Sequence, residues 1–154
     1  MHPPADTAPT PATVLRRRVP SRRDALEPAR LAVLAHLAPW SLGEQARYRV
    51  ELVLEETLLN AMLHGHPGEH GGGGDAAHAI DLSVQVRDGA VCLCFEDDGI
   101  AFDPLAAVPR PRPASLAQAV PGGLGLLLVR RLSRSVHYQR HGGRNTLTIE
   151  VALG

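Results

Sequence analysis

Residues 80–87 alternate so strictly that, with the turn and strand that follow, they constrain the fold more than any other stretch of the chain. Ile80, Leu82, Val84 and Val86 fall on one face of an extended segment, and Asp81, Ser83, Gln85 and Arg87 on the other. A period of two is the signature of a strand with one face buried and one in water. Asp88-Gly89 follows, the pair favoured in a two-residue type I′ hairpin turn. Ala90–Glu96 then runs apolar on both faces, as a central strand does. The chain is thus committed to an antiparallel sheet with a covered face.

Around this hairpin the pattern changes to helical. Residues 13–19 read as a first strand at a sheet edge. Ser21 with Asp24 resembles a capping box ahead of Leu26, Ala29, Val33 and Leu37, which recur at helical spacing. Pro28 fits that helix only in its first turn. Ser41 with Glu44 resembles a second box and opens the longest helix, about 42–64, whose buried stripe is Ala46, Val50, Val53, Leu54, Thr57, Leu58 and Ala61. Gly122 to about Ser133 reads as glycines opening a helix packed through Leu124, Leu127, Leu128 and Leu132. A second hairpin, 135–139 and 146–153, turns through Gly142-Gly143. Hairpins interrupted by helices predict an α+β fold, a two-layer sandwich with a mostly antiparallel sheet and helices on one face. Residues 1–12, with four prolines, read as a disordered tail ahead of one domain spanning 13–154. Residues 65–75 read as a loop, and 103–121, with five prolines, as a mobile segment.

Composition excludes several classes of function. Aromatic residues make up 3% of the chain against 44% hydrophobic, so Leu, Val and Ala must build the core. Sixteen basic and sixteen acidic residues cancel, and no global field draws the chain to nucleic acid or membrane. The arginines at 16, 17, 18, 22 and 23 lack interleaved aromatics and read as a solvated or partner-facing patch. There is no Lys at all, which excludes the phosphate-binding P-loop and the kinase fold with its strand Lys. Cys92 and Cys94, at i and i+2 on a strand, would have Cα atoms about 6.7 Å apart and read as buried small residues rather than a bridge. No apolar run is long enough to span a bilayer and the first residues form no signal core, so the expected location is cytoplasmic.

Three constellations could carry chemistry. On the long helix, Glu56 and Asn60 stand at i and i+4 and project together, with His64 one turn on. A carboxylate beside an amide oxygen suits Mg²⁺, which prefers hard oxygen ligands; an ordinary polar helix edge looks the same in sequence. Glu55 lies about 100° around the helix and should face elsewhere. After the central strand comes Asp97-Asp98-Gly99-Ile100-Ala101. Its acid can accept a hydrogen bond from an exocyclic amine, and Gly99 lets backbone approach a flat base. An acid before Gly at a strand end is also a common turn. Gly122-Gly123-Leu124-Gly125 opens a helix, where free N–H groups and the helix dipole favour anions.

The order of these boxes is more specific than any one of them. ELVLEETLLNAMLHG, FEDDGIAFDP and GGLGLLLVRRL resemble the three nucleotide-binding boxes of the GHKL ATPase superfamily. The DDG-x-x-FDP form, the short lid and the RNTLTIEV strand resemble, more narrowly, the RsbW-type anti-sigma-factor serine kinases. The resemblance runs from about residue 13 to the end. It implies a Bergerat-type fold that binds ATP and Mg²⁺. In its terms Asn60 coordinates the metal and Glu56 is the general base for a substrate serine. Asp97 binds the adenine amine, Gly99 and Ala101 shape that pocket, and Gly123, Leu124 and Gly125 fold around the phosphates. It implies a sigma factor and a STAS-type antagonist as partners, and a possible homodimer. Its alternative output is nucleotide-dependent partner switching with little or no phosphotransfer.

Two departures stand out. Ala101 occupies a position where the superfamily often has a second glycine. The lid, 104–121, has only Arg110 and Arg112 for a phosphate clamp. A histidine-kinase reading would need a phosphoacceptor His in a preceding helix pair; His36 lies in a helix that the sheet needs for packing. His64, His66, His70 and His78 cluster around a glycine-rich loop that organises metal ligands poorly.

Overall fold

A computed structural model of the chain describes residues 13–64, 78–101 and 123–154. The expected tail at 1–12, the loop at 65–75, the segment at 103–121 with Arg110 and Arg112, and His66 and His70 lie outside the described residues. The elements run β1 (Leu15–Pro20), α1 (Leu26–Leu37), α2 (Glu44–His64), β2 (Ala79–Arg87), β3 (Ala90–Asp97), α3 (Gly123–Leu132), β4 (Ser135–His141) and β5 (Arg144–Ala152). Short 3-10 turns at Arg23–Ala25 and Ala38–Trp40 precede α1 and α2. The five strands form one sheet in the order β1-β2-β3-β5-β4, every pair antiparallel.

The alternation read from sequence is the pattern of burial. Ile80, Leu82, Val84 and Val86 are all in the core, and β1 is an edge strand. The β2–β3 turn has positive φ at both Asp88 and Gly89, as a type I′ turn requires. β3 lies between β2 and β5, which explains its two apolar faces. Val91, Leu93 and Phe95 point into the shared core, and Cys92 is buried on the other side with its thiol unbridged. One cluster joins those strand residues to Ala29, Val33 and Leu37 of α1, Val50, Val53, Leu54 and Leu58 of α2, and Val129 of α3. All three helices therefore cover the same face of the sheet, and the expected α+β sandwich is the observed fold.

Local expectations needed correction at three places. Ser21 and Asp24 form no capping box: Asp24 pairs with Arg22, and α1 starts only at Leu26 without a side-chain cap. Pro28 is thereby the third residue of α1, in the first turn where no helical N–H is missed. Ser41 does not cap α2 either. It takes a left-handed conformation, φ 47°, that closes the Ala38–Trp40 turn, and Gly43 stands directly before the helix with its carbonyl accepting from Arg47 at 2.9 Å. In α3, Leu127 and Leu128 are 42% and 40% exposed, and Val129 at 2% carries the packing. The buried stripe runs through Val129 and the half-buried Leu132, one turn apart, rather than along the leucine run. The side chain of Leu124 lies outside the described residues.

Two arginines fasten the layers. Arg30 of α1 donates to Glu27 at 2.6 Å and to Glu51 of α2 at 2.8 Å. Arg134, between α3 and β4, donates to the Glu150 carboxylate at 2.8 Å and to the Asp88 carbonyl at 2.9 Å, tying the two hairpins together. The hydrogen bond from Arg134 holds the Glu150 carboxyl below the usual carboxylate range. Among the described residues, no helix is long and apolar enough to cross a membrane.

Candidate functional site

The three constellations sit on elements that pack against one another. α2 carries Glu56 and Asn60, the Asp97–Ala101 turn leaves the end of β3, and Gly123, Leu124 and Gly125 form the first turn of α3. α2 packs on β3, β5 and α3. α2 therefore touches the elements that carry the other two constellations.

On α2 the core stripe turns Thr57 inward and leaves its flanks half-buried. Thr57 is 5% exposed, and Glu56 and Asn60 lie at the boundary between core and water. Glu55 is exposed, as its 100° offset predicts. Burial pushes the Glu56 carboxyl above the usual range, and the neighbouring Glu55 charge adds to the shift. Among the described residues, the side-chain oxygens of Asn60 and Thr57 are buried without a hydrogen-bond partner. A buried, unpaired amide oxygen costs about 1–3 kcal/mol unless a donor or a cation meets it. A hard cation is one such partner, so Asn60 fits the Mg²⁺ role on its donor chemistry. Among the described residues there is no cluster of His, Cys, Asp and Glu of the kind that holds a metal alone. The His64, His66, His70 and His78 group falls mostly outside them.

The turn after β3 is held from all sides. Gly99 N–H donates to Asp97 Oδ1 at 2.9 Å, folding the turn onto the carboxylate. Gly99 is buried, Asp97 half-buried, Asp98 and Ala101 exposed. His78, at the start of β2, lies 3.8 Å from Asp98.

Sequence reading missed the residue that organises this turn. Asn145, only 7% exposed, donates through Nδ2 to Asp97 Oδ1 at 3.0 Å, to the Ile100 carbonyl at 2.8 Å and to the Gly99 carbonyl at 3.3 Å. Its Oδ1 accepts from the Tyr138 hydroxyl and from Arg140 Nη1 at 2.9 Å, and the same Arg140 nitrogen donates to the Gly99 carbonyl at 3.0 Å. Asn145 faces Asp97 as the last rung between β3 and β5. The signal available in sequence was an Asn within the β-branched run RNTLTIEV, a residue type strands disfavour.

Known proteins carry the same layout. Residues 19–151 match the family described as a histidine kinase-like ATPase domain. The serine/threonine-protein kinase BtrW of Bordetella bronchiseptica is 35% identical over 123 residues, 75% of this chain and 78% of that relative. An anti-sigma F factor of a Geobacillus species is 22% identical over 118 residues, 77% of each chain. Among solved structures, the RsbU and RsbW domains of a Mycobacterium tuberculosis protein superpose with a TM-score of 0.62 at 18% identity, covering 94% of this chain. This chain spans only 33% of that longer one. The SiaB–SiaC complex of Pseudomonas aeruginosa gives a TM-score of 0.59 at 17% identity, covering 89% of this chain and 88% of the other. With the sheet order, the boxes on α2, β3 and α3, and a match over most of its length, the chain belongs to the histidine kinase-like ATPase (GHKL) family, in its RsbW-type branch.

Proposed function

We propose that this protein is a cytoplasmic, ATP-dependent serine kinase that also acts as an anti-sigma factor. It binds a sigma factor and phosphorylates a serine on a STAS-type antagonist domain. The observation that carries the reading is the half-buried Glu56 one helical turn from the buried amide oxygen of Asn60, which has no hydrogen-bond partner among the described residues. The names of two relatives support it, one a serine/threonine-protein kinase and one an anti-sigma F factor.

In this reading Asp97 accepts the exocyclic amine of adenine, with Gly99 and Ala101 lining the base. The first turn of α3, Gly123, Leu124 and Gly125, receives phosphate on its backbone N–H groups. Asn60 offers its amide oxygen to Mg²⁺, which when bound neutralises charge on the phosphates. Glu56 takes the proton from the substrate serine hydroxyl as the phosphoryl group transfers. A carboxylate that burial has made more basic is better suited to that task than an exposed one. A pure adaptor has no use for a desolvated carboxylate beside the metal position, which favours chemistry over switching alone.

The test is a pull-down from native cell extract with Mg-ATP, comparing wild type with Glu56→Gln. Captured partners are identified and scanned for phosphoserine by mass spectrometry. A sigma factor and a small antagonist, phosphorylated only with wild type, are expected. The same partners without phosphoserine would leave nucleotide-dependent switching as the function. Capture of neither would remove the sigma-factor reading.

A further inference from the structure

Asp97 is the only acid of the adenine proposal, yet a carboxylate on a glycine-containing turn can point many ways. Something must fix it, and the network around Asn145 is built to do so. Every group facing Asn145 Nδ2 is an obligate acceptor: the Asp97 carboxylate and the Gly99 and Ile100 carbonyls. The guanidinium facing Asn145 Oδ1 is an obligate donor, and the Tyr138 hydroxyl completes that side. Only one orientation of the amide sets its two N–H groups among the three acceptors and its oxygen against the Arg140 donor. Buried at 7% exposure, the side chain cannot turn to water instead. An Asp at this position would lack the donors, and a hydrophobic residue would take the donor from Asp97 and from the Ile100 carbonyl, leaving the Gly99 carbonyl to Arg140 alone.

The consequence for Asp97 is directional. Both of its hydrogen bonds among the described residues, from Gly99 N–H and from Asn145 Nδ2, fall on Oδ1. Oδ2 is the oxygen left to meet a ligand's amine. We infer that Asn145 is a positioning residue for base recognition: with Tyr138 and Arg140 behind it, it presents one oxygen of Asp97 and so selects a 6-amino purine over a 6-oxo purine. This inference rests on the assignment of Asp97 to adenine. It adds a specificity determinant on β5 that touches the acid and need not touch the nucleotide.

The experiment measures dissociation constants for ADP and for IDP by calorimetry on the full chain. IDP carries an acceptor where ADP carries the amine. Wild type is expected to prefer ADP by at least about tenfold, the value of one well-made hydrogen bond. In Asn145→Ala the preference should fall to within about twofold of unity, mainly through weaker ADP binding, with IDP affinity moved by less than about threefold. A merely structural role would weaken both nucleotides alike and leave their ratio intact, which overturns the inference. Tyr138→Phe removes one of the two groups that orient the amide and leaves Asn145 in place. It should lower the ratio partway, and it decides the matter by the same ratio if Asn145→Ala does not fold. Asp97→Asn separates the two levels. If it abolishes the preference while Asn145→Ala retains it, the positioning role alone is wrong. If wild type itself shows no preference, the adenine assignment fails and takes the positioning role with it.

Discussion

Glu55 and Glu56 are neighbours in the chain with opposite surroundings: the first is exposed, the second half-buried with its carboxyl pushed up by desolvation. The difference comes from the 100° step of the helix and from the inward-facing Thr57 stripe beside Glu56. Substituting each in turn is therefore a controlled experiment. Glu56→Gln should reduce phosphotransfer about 10²–10⁴-fold, the usual worth of a general base, and leave ATP affinity within about twofold. Glu55→Gln should leave both nearly unchanged. Transfer measured by intact mass of the antagonist, together with calorimetry for ATP, checks both; retained transfer in Glu56→Gln would place the base elsewhere.

The pH profile should carry the same signature. A general base works deprotonated, so the rate should fall as pH drops through the raised Glu56 value, starting above the ordinary glutamate range near about 4.3. Stability should move the other way. A carboxyl whose folded-state pKa lies above its unfolded value contributes stability that is full at low pH and lost as pH rises through the folded value. Above the unfolded-state value Glu56 is thus a cost, and Glu56→Gln should raise the urea midpoint at neutral pH while lowering activity. A lowered midpoint would contradict the desolvated placement.

Asn60 should report on the metal rather than on the base. Asn60→Ala removes the amide oxygen offered to the metal, so the gain in nucleotide affinity on adding Mg²⁺ should shrink by about tenfold or more, while affinity in EDTA changes little. Calorimetry with and without Mg²⁺ measures the difference. An unchanged Mg²⁺ effect would mean that other groups hold the ion.

Leu93 tests the core. It is fully buried in β3, where strand and helix layers meet. Leu93→Ala should cost about 2–5 kcal/mol, seen as a lower urea midpoint with unchanged slope. A cost below about 1 kcal/mol would mean that the layers repack around the gap.

The fold was legible where period and turn chemistry agreed. The alternation at 80–87, the Asp88-Gly89 turn and the two-faced β3 each followed from local rules that tertiary structure did not override. The helix caps were misread because a capping pattern is short and common, whereas Pro28 does stand in the first turn of α1 as expected. Pro28 fixed the start of α1, and a left-handed Ser41 fixed that of α2, neither of which the Ser-x-x-acid spacing reveals. The leucine run of α3 misled for a related reason: consecutive leucines cannot all face inward, and composition does not say which will. In the candidate site, Glu56, Asn60 and Asp97 could be singled out from sequence because their spacing lies within one helix or one turn. Asn145 was not, because its partner Asp97 is 48 residues away and only the β3–β5 register brings them together.

That register has a further consequence, for how the sheet comes apart. β2–β3 and β4–β5 are each local hairpins, closed by turns of two residues. The β3–β5 seam joins hairpins whose facing ends are distant in sequence, so the chain must close a long loop to form it. Asp97 and Asn145 are the terminal rung of that seam. A nucleotide held by Asp97, as proposed above, would act as a staple at that end of the seam, and occupancy should then be felt as greater resistance to unfolding.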